Sequence, residues 1–251
     1  MEGKMIPKQR QEQILQLLET EQYVTVKYLT HVLRYSTATA NRDLNEMQAL
    51  GLLKRCRGGA EAVKRRLPPL PTRQFYMQKE KRRNAYEAAK LIRDGETVFL
   101  DASTTVQHIV PFLLEKKNLT VITNSIFLAA ELSKHGIQVI SLGGRVVECP
   151  YVLDGEDTVE HAMKYRVDQM FFSVGSITLA GTVGTSHYLL HRILLKNSRT
   201  AYLLTDSAKI TDHVNVALCD FSSLTGVISD FEFPEETKRR YPLVNFIVVP
   251  E

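Results

Sequence analysis

Between Ser36 and Asn45 the chain gathers side chains of the kind that read polynucleotides. Ser36, Thr37 and Thr39 bring hydroxyls to the first turn of a predicted helix, and Asn41, Arg42 and Asn45 lie opposite its apolar face of Ala40, Leu44 and Met47. Short hydroxyl and amide groups near a helix N-terminus suit base edges and phosphates, and an arginine can make a two-pronged contact to guanine or to phosphate. Lys54, Arg55 and Arg57 follow on a short basic strand that runs into Gly58-Gly59, where the tip of a hairpin would touch a sugar-phosphate backbone.

A second group recurs after short apolar runs. Asp101, Ser103, Thr104 and Thr105 follow Val98–Leu100; Thr123, Asn124 and Ser125 follow Leu119–Ile122; Gly143, Gly144 and Arg145 follow Ile137–Ile140; Asp206 and Lys209 follow Ala201–Leu204. Hydroxyls at a helix N-terminus, together with its free N–H groups and dipole, favour an anion. Two glycines permit close backbone approach, and Arg145 and Lys209 can meet a phosphate. Any one such turn reads as a capped helix, but their repetition on successive strands predicts a small anionic ligand, most naturally a phosphorylated sugar.

These groups need elements to position them. Gln9–Thr20 places Ile14, Leu17 and Leu18 on one helical face, Thr25 can cap a second helix with Leu29, Val32 and Leu33 inward, and a third helix runs from Ser36 to Leu50 before Gly51 stops it. Leu52–Arg55 and Ala60–Val63 are expected to pair across Gly58-Gly59. The run Leu67-Pro68-Pro69-Leu70-Pro71 suits neither helix nor central strand and reads as a linker, followed by a largely helical basic segment over 73–93. From Gly95 onward the period changes. Continuous apolar runs, the four above with Met170–Phe172 and Phe246–Val249, alternate with helical stretches at Thr104–Glu115, Ser125–Lys134 and Ser186–Lys196. That pattern predicts a mainly parallel sheet covered on both faces. The expected organisation is a small α+β winged helix-turn-helix at 1–63, a linker at 64–80 and an α/β domain at 81–251.

Composition restricts the class. Of 251 residues, 44% are hydrophobic and 24% charged, as in a soluble globular protein. No apolar run is long enough to span a membrane and the polar N-terminus lacks a signal-peptide core, so a cytoplasmic location is expected. Cys56, Cys149 and Cys219 are far apart, which suggests neither a zinc site nor a disulfide framework. Charge is divided: residues 1–66 hold twelve Lys/Arg against seven Asp/Glu, whereas residues 84–251 hold fifteen against twenty. A basic front on an acidic rear implies that the front meets a polyanion.

The order Arg10, Ile14, Leu18, then Ser36-Thr37-Ala38-Thr39-Ala40-Asn41-Arg42-Asp43-Leu44, then Leu52-Leu53-Lys54-Arg55 and Gly58-Gly59-Ala60 resembles the winged helix-turn-helix of the DeoR family of bacterial transcriptional regulators. Asn41 departs from it, standing where the family usually carries Arg or His. Arg10 is expected to brace the first helix against Asp43 of the third. The resemblance continues through Asp101-Ala102-Ser103-Thr104-Thr105, Thr123-Asn124-Ser125, Gly143-Gly144-Arg145, Asp168 and Asp206-Ser207-Ala208-Lys209. Ser103 replaces a usual Gly there, and His187 a usual Glu.

The resemblance implies a repressor of sugar or nucleoside catabolism genes that binds double-stranded operator DNA and answers to a small phosphorylated sugar. It implies an effector domain related in fold to ribose-5-phosphate isomerase. Operator symmetry leads to a homodimer or homotetramer; no cofactor, metal or membrane is expected. The alternative is a sugar-phosphate isomerase-like enzyme using Asp101, Asp206 and Lys209 for proton transfer. An isomerase has no use for the front module, so no catalytic residues are expected.

Overall fold

The computed structural model describes residues 7–21, 23–49, 52–62, 73–147, 152–185 and 187–249. They fall into two compact units, divided between Tyr76 and Met77. The proline-rich run at 67–71, the Gly51 stop, Val63, Cys149 and Ser186 lie outside the described residues.

In the first unit, helices α1 (Pro7–Glu21), α2 (Val26–Val32) and α3 (Thr37–Ala49) accompany strands β1 (Tyr23–Thr25), β2 (Leu53–Cys56) and β3 (Gly59–Ala62). Thr25 caps α2 as its sequence suggests, its hydroxyl accepting the Tyr28 N–H. Ile14, Leu18, Leu29, Leu44 and Met47 close the core. Val32, expected inward, is 42% exposed: α2 has only two turns and buries Leu29 alone. The sheet has three antiparallel strands rather than two, in the order β1-β3-β2. Gly59 makes this possible, because a Cβ there would sit 2.1 Å from the Val24 carbonyl oxygen of β1.

The second unit opens with α4 (Gln78–Leu91), which starts inside the segment expected as linker: residues 78–80 are helical. Strands β4 (Thr97–Leu100), β5 (Thr120–Thr123) and β6 (Gln138–Ser141) follow, with a 3-10 turn at Val106–Ile109 and α5 (Val110–Leu113) after β4 and α6 (Ile126–Lys134) after β5. The single helix expected over 104–115 is therefore broken in two, and Pro111, which lacks an N–H, sits in the first turn of its second piece. A small antiparallel pair, β7 (Arg145–Val147) and β8 (Val152–Asp154), leads into α7 (Glu156–Met163) and β9 (Val167–Phe172). Next come β10 (Ser176–Ile177), β11 (Thr182–Gly184), α8 (Tyr188–Asn197), β12 (Ser198–Leu204), β13 (Ala217–Asp220), β14 (Gly226–Ser229), α9 (Glu235–Arg240) and β15 (Asn245–Val248).

Seven of these strands form one sheet in the order β15-β14-β12-β9-β4-β5-β6, every neighbouring pair parallel. Alternate residues of each strand enter different cores. Phe99, Ile122, Met170 and Phe172 join one; Val98, Leu100, Val121 and Phe171 join the other, beneath Ala85 and Ala88 of α4. Burial on both faces is why these strands read as unbroken apolar runs. The chain leaves β4 toward β5 and β6, then returns past β4 to β9, β12, β14 and β15. The direction of winding thus reverses between β4 and β9, where open parallel sheets form a crevice outside their carboxyl ends.

Candidate functional site

In the first unit, Arg10 is the structural keystone. Its Nε and Nη2 donate to Asp43 Oδ2 and Oδ1 at 2.7 and 2.9 Å, with Arg10 8% and Asp43 1% exposed. The carboxylate beside it raises the guanidinium pKa further. This two-pronged pair fixes α1 to α3 and leaves the opposite face of α3 to solvent.

On that face Thr37, Arg42 and Asn45 are exposed, with no side-chain hydrogen bond among the described residues. Ser36 accepts the Thr39 N–H and shares a 2.9 Å hydroxyl contact with Thr39, capping the helix. Asn41 is already engaged: its amide donates to the Thr37 carbonyl and its oxygen accepts from Arg55 Nη2 at 2.9 Å. The Gln48 side chain accepts the Arg55 N–H. Asn41 and Arg55, both expected to face DNA, therefore also clamp the β2–β3 hairpin onto α3. Lys54 pairs with Glu61 across the hairpin, whereas Arg57 is exposed at the turn. Lys27 and Tyr28 in the first turn of α2, overlooked in the sequence pattern, are also exposed.

Arg42 is the free, exposed guanidinium of α3. Arg42→Ala is expected to weaken binding to duplex DNA by about tenfold to a hundredfold, the ~1–3 kcal/mol of one good arginine contact. Fluorescence anisotropy on a labelled duplex measures it, with unchanged affinity as the contrary result.

In the second unit the described site gathers at the winding reversal. Asp101, just after β4, accepts the N–H of Ser173, just after β9, through Oδ2 at 3.0 Å and the Ser103 N–H through Oδ1 at 3.0 Å. Lys209, after β12, donates to Ser173 Oγ at 2.7 Å and Thr105 Oγ1 at 2.9 Å. Its Nζ lies 3.2 Å from Asp206 Oδ2, an ion pair whose angles fall short of a hydrogen bond. Lys81 of α4 reaches Thr104 Oγ1 at 3.2 Å, and Asn84, one turn further on, donates to the Thr205 carbonyl at 2.6 Å. Lys81 is 3% exposed and Lys209 7%. The sequence pattern brought Asp101, Thr104, Thr105, Asp206 and Lys209 together but missed Lys81, Asn84, Ser173 and Thr205. Lys81 was hidden in a basic helical run; Ser173 and Thr205 had only the signal of a hydroxyl ending an apolar strand.

Other expected ligand contacts are spent on the scaffold. Thr123 donates to the Leu100 carbonyl and accepts the Ser125 N–H; Asn124 accepts from the Ala102 N–H and donates to the Leu153 carbonyl; Ser125 caps α6 through the Leu128 N–H. All three are at most 2% exposed. Their polarity serves to tie loops together. Ser125→Ala is expected to cost about 1 kcal/mol, the usual worth of such a cap, read as a lowered unfolding midpoint. Ser103 likewise accepts the Val106 N–H and caps the turn after β4. Gly144 has φ +107°, and a Cβ there would lie 2.0 Å from Thr158 Oγ1, so this glycine serves the packing of α7. Arg145 is exposed on β7, opposite Asp154.

A cavity of about 490 Å³ opens beside this loop, between α7 and the start of α8. On its wall His187 Nδ1 lies 3.0 Å from Asp154 Oδ2. The His187 N–H donates to Thr185 Oγ1, which contacts Nδ1 of buried His191 at 2.9 Å, and His191 Nε2 is 3.6 Å from Asp101 Oδ2. Lys209, Ser173, Asp101, His191, Thr185 and His187 thus form one chain of contacts from Lys209 to the wall of the cavity. Among the described residues no cluster of three or more His, Cys, Asp or Glu is placed to hold a metal ion, and no helix is long and apolar enough to cross a membrane.

A three-helix unit with a winged hairpin and a free polar recognition face, joined to a parallel α/β unit with buried lysines at its winding reversal, defines a ligand-responsive transcriptional regulator. Residues 10–66 match the DeoR-like helix-turn-helix domain, and residues 77–231 match the DeoR C terminal sensor domain. Similar proteins include the transcriptional repressor AccR of Agrobacterium fabrum, 29% identical over 94% of this chain and 97% of that protein. The HTH-type transcriptional repressor GlcR of Bacillus subtilis is 32% identical over 89% and 95%. The glycerol-3-phosphate regulon repressor of Escherichia coli is 28% identical over 88% and 90%. Among solved structures, ribose 5-phosphate isomerase A of Neisseria gonorrhoeae is matched loosely, at 14% identity and a TM-score of 0.40 over 53% of each chain. The chain belongs to the DeoR family of transcriptional regulators.

Proposed function

We propose that the chain represses genes of sugar or nucleoside catabolism in the cytoplasm, binding operator DNA as a homodimer or homotetramer, and that a phosphorylated sugar modulates that binding. The observation that carries the effector is the pair of buried lysines, Lys81 and Lys209, set among the hydroxyls of Thr104, Thr105 and Ser173 at the carboxyl ends of β4 and β9. Their ammonium groups and the hydroxyls around them are donors of the kind that phosphate oxygens accept from. Asn84 Oδ1 and Thr205 Oγ1, fully buried and without hydrogen bonds among the described residues, add acceptors that sugar hydroxyls would satisfy.

Three relatives carry repressor in their names, and one of them is named for glycerol-3-phosphate. Proton-transfer chemistry is poorly supported: both Asp101 oxygens accept backbone N–H groups, and Asp206 is paired with Lys209. The test is a thermal-shift screen of the full chain against phosphorylated sugars. A ligand at a hundred times its Kd stabilises the unit that binds it by about 2.7 kcal/mol. The expected result is a rise in the melting temperature with at least one phosphorylated sugar and none with its unphosphorylated form. No shift across the panel would remove the effector reading.

A further inference from the structure

We propose that Asp230 is a positioning residue of the effector site: it sets the affinity for phosphate, without touching the ligand, by holding the turn that carries Lys209. The inference rests on the phosphorylated-sugar reading above and deepens it.

Lys209 ends a single 3-10 turn, Ser207–Lys209, that follows β12. So short a turn has little stability of its own. Within it the Lys209 N–H donates to the Asp206 carbonyl at 3.0 Å and the Ile210 N–H to the Ser207 carbonyl at 3.2 Å. Asp206, at its head, is of a type that ordinarily accepts the first free N–H groups of a helical turn. It does not do so here: its carboxylate faces Lys209 Nζ at 3.2 Å, and no side-chain bond caps the turn from that position. The cap comes from the neighbouring strand instead. β12 and β14 run parallel with Leu204 opposite Ile228, which brings Asp230 alongside the start of the turn. Asp230 Oδ1 accepts the Ser207 N–H and Oδ2 accepts the Ser207 hydroxyl, each at 3.0 Å. Beyond Asp230 the Phe231 N–H donates to Ser229 Oγ at 3.0 Å, which ties the chain bearing the carboxylate back onto β14.

Two carboxylates therefore divide the work at one turn: Asp206 faces the ammonium, and Asp230 fixes the backbone that presents it. Without Asp230 the turn is ordered only when the ligand arrives, and the cost of that ordering is subtracted from affinity. The loss falls on the phosphate, which Lys209 meets, and is the same whatever sugar the phosphate carries.

Calorimetric titration of the full chain with inorganic phosphate, ribose 5-phosphate, fructose 6-phosphate and glucose 6-phosphate tests this. Asp230→Ala is expected to weaken every probe that binds the parent by one common factor of about tenfold. Asp230→Asn keeps an oxygen for the Ser207 N–H and offers its amide N–H to the Ser207 hydroxyl, so it is expected to stay within about twofold of the parent. Ser207→Ala removes only the hydroxyl bond and is expected to weaken binding by about threefold; it decides the matter if Asp230→Ala does not fold. Affinity for duplex DNA without sugar is expected to be unchanged in all three. Unequal factors among the probes would show that Asp230 touches the sugar. Tighter binding in both Asp230 variants would show that its charge merely repels the phosphate, and affinities equal to the parent in Asp230→Ala or Ser207→Ala that the turn needs no cap. Asp230→Asn as weak as Asp230→Ala would show that geometry is not what Asp230 supplies. Each of these results overturns the proposal alone. Failure of every probe to bind the parent overturns it together with the phosphorylated-sugar reading.

Discussion

Replacing Asp43 with alanine is expected to unfold the DNA-binding unit while leaving the sensor unit folded. The substitution strands the Arg10 guanidinium, 8% exposed, without the carboxylate that holds both its prongs. Breaking a buried pair from one side costs ~3–5 kcal/mol. A unit that ends at Tyr76 buries a modest core, and such small domains carry total stabilities of the same order. Tyr35, whose ring lies 5.8 Å from the guanidinium, loses its neighbour's order as well. The measurement is a two-transition melt of the full chain followed by circular dichroism: the transition of the first unit is expected to disappear at 25 °C and the second to remain. An Arg10→Met, Asp43→Leu double variant is expected to recover much of the loss, because an apolar pair leaves no buried charge. Equal damage in the single and double variants would show that the pair does not act as described.

The second large effect concerns Lys209. Lys209→Met keeps the length of the side chain but removes the ammonium from Thr105 Oγ1, Ser173 Oγ and Asp206. Loss of one buried charged partner for a phosphate is worth ~2–5 kcal/mol, which is roughly thirtyfold to several thousandfold in affinity. Because Asp206 would be left buried and unpaired, Asp206→Asn is combined with it to separate lost binding from lost stability. Both variants are expected to bind DNA normally and to lose their response to the phosphorylated sugar. A variant whose calorimetric affinity for that sugar matches the parent would remove Lys209 from the site.

The parts of this molecule that were legible in its sequence are those governed by periodicity and local capping. The three front helices, the Thr25 cap and six of the seven main strands follow from spacing and apolar runs; the Arg10–Asp43 pair comes with the family resemblance. What escaped has identifiable causes. The three-residue β1 is too short for a periodic signal, and its place depends on the absence of a Cβ at Gly59. The buried strand β14 has only Val227 and Ile228 between Gly226 and Ser229, so it resembles a turn until its neighbours cover it.

At the site, residue type indicated polarity but not direction. Thr123, Asn124 and Ser125 look like anion ligands in sequence and are turned entirely into scaffold, whereas Lys81 and Asn84 look like solvated helix and are turned inward onto Thr104 and Thr205. Asn41, which departs from the family pattern, acquires a structural reason: it takes up one guanidinium nitrogen of Arg55 and so ties hairpin to helix. Only packing decides which way such side chains face.

We propose that phosphate bound at Lys81 and Lys209 controls DNA binding by the first unit. A ligand can do this only through different affinities for the DNA-bound and free states, and linkage requires DNA to weaken the ligand by the same factor. The direct measurement is anisotropy of a duplex selected by the full chain from a random library, titrated with and without a panel of sugar monophosphates. At least one monophosphate is expected to raise the Kd for DNA about tenfold or more, with no response in Lys209→Met. Normal DNA binding that no monophosphate moves would show that phosphate at these lysines does not control the first unit.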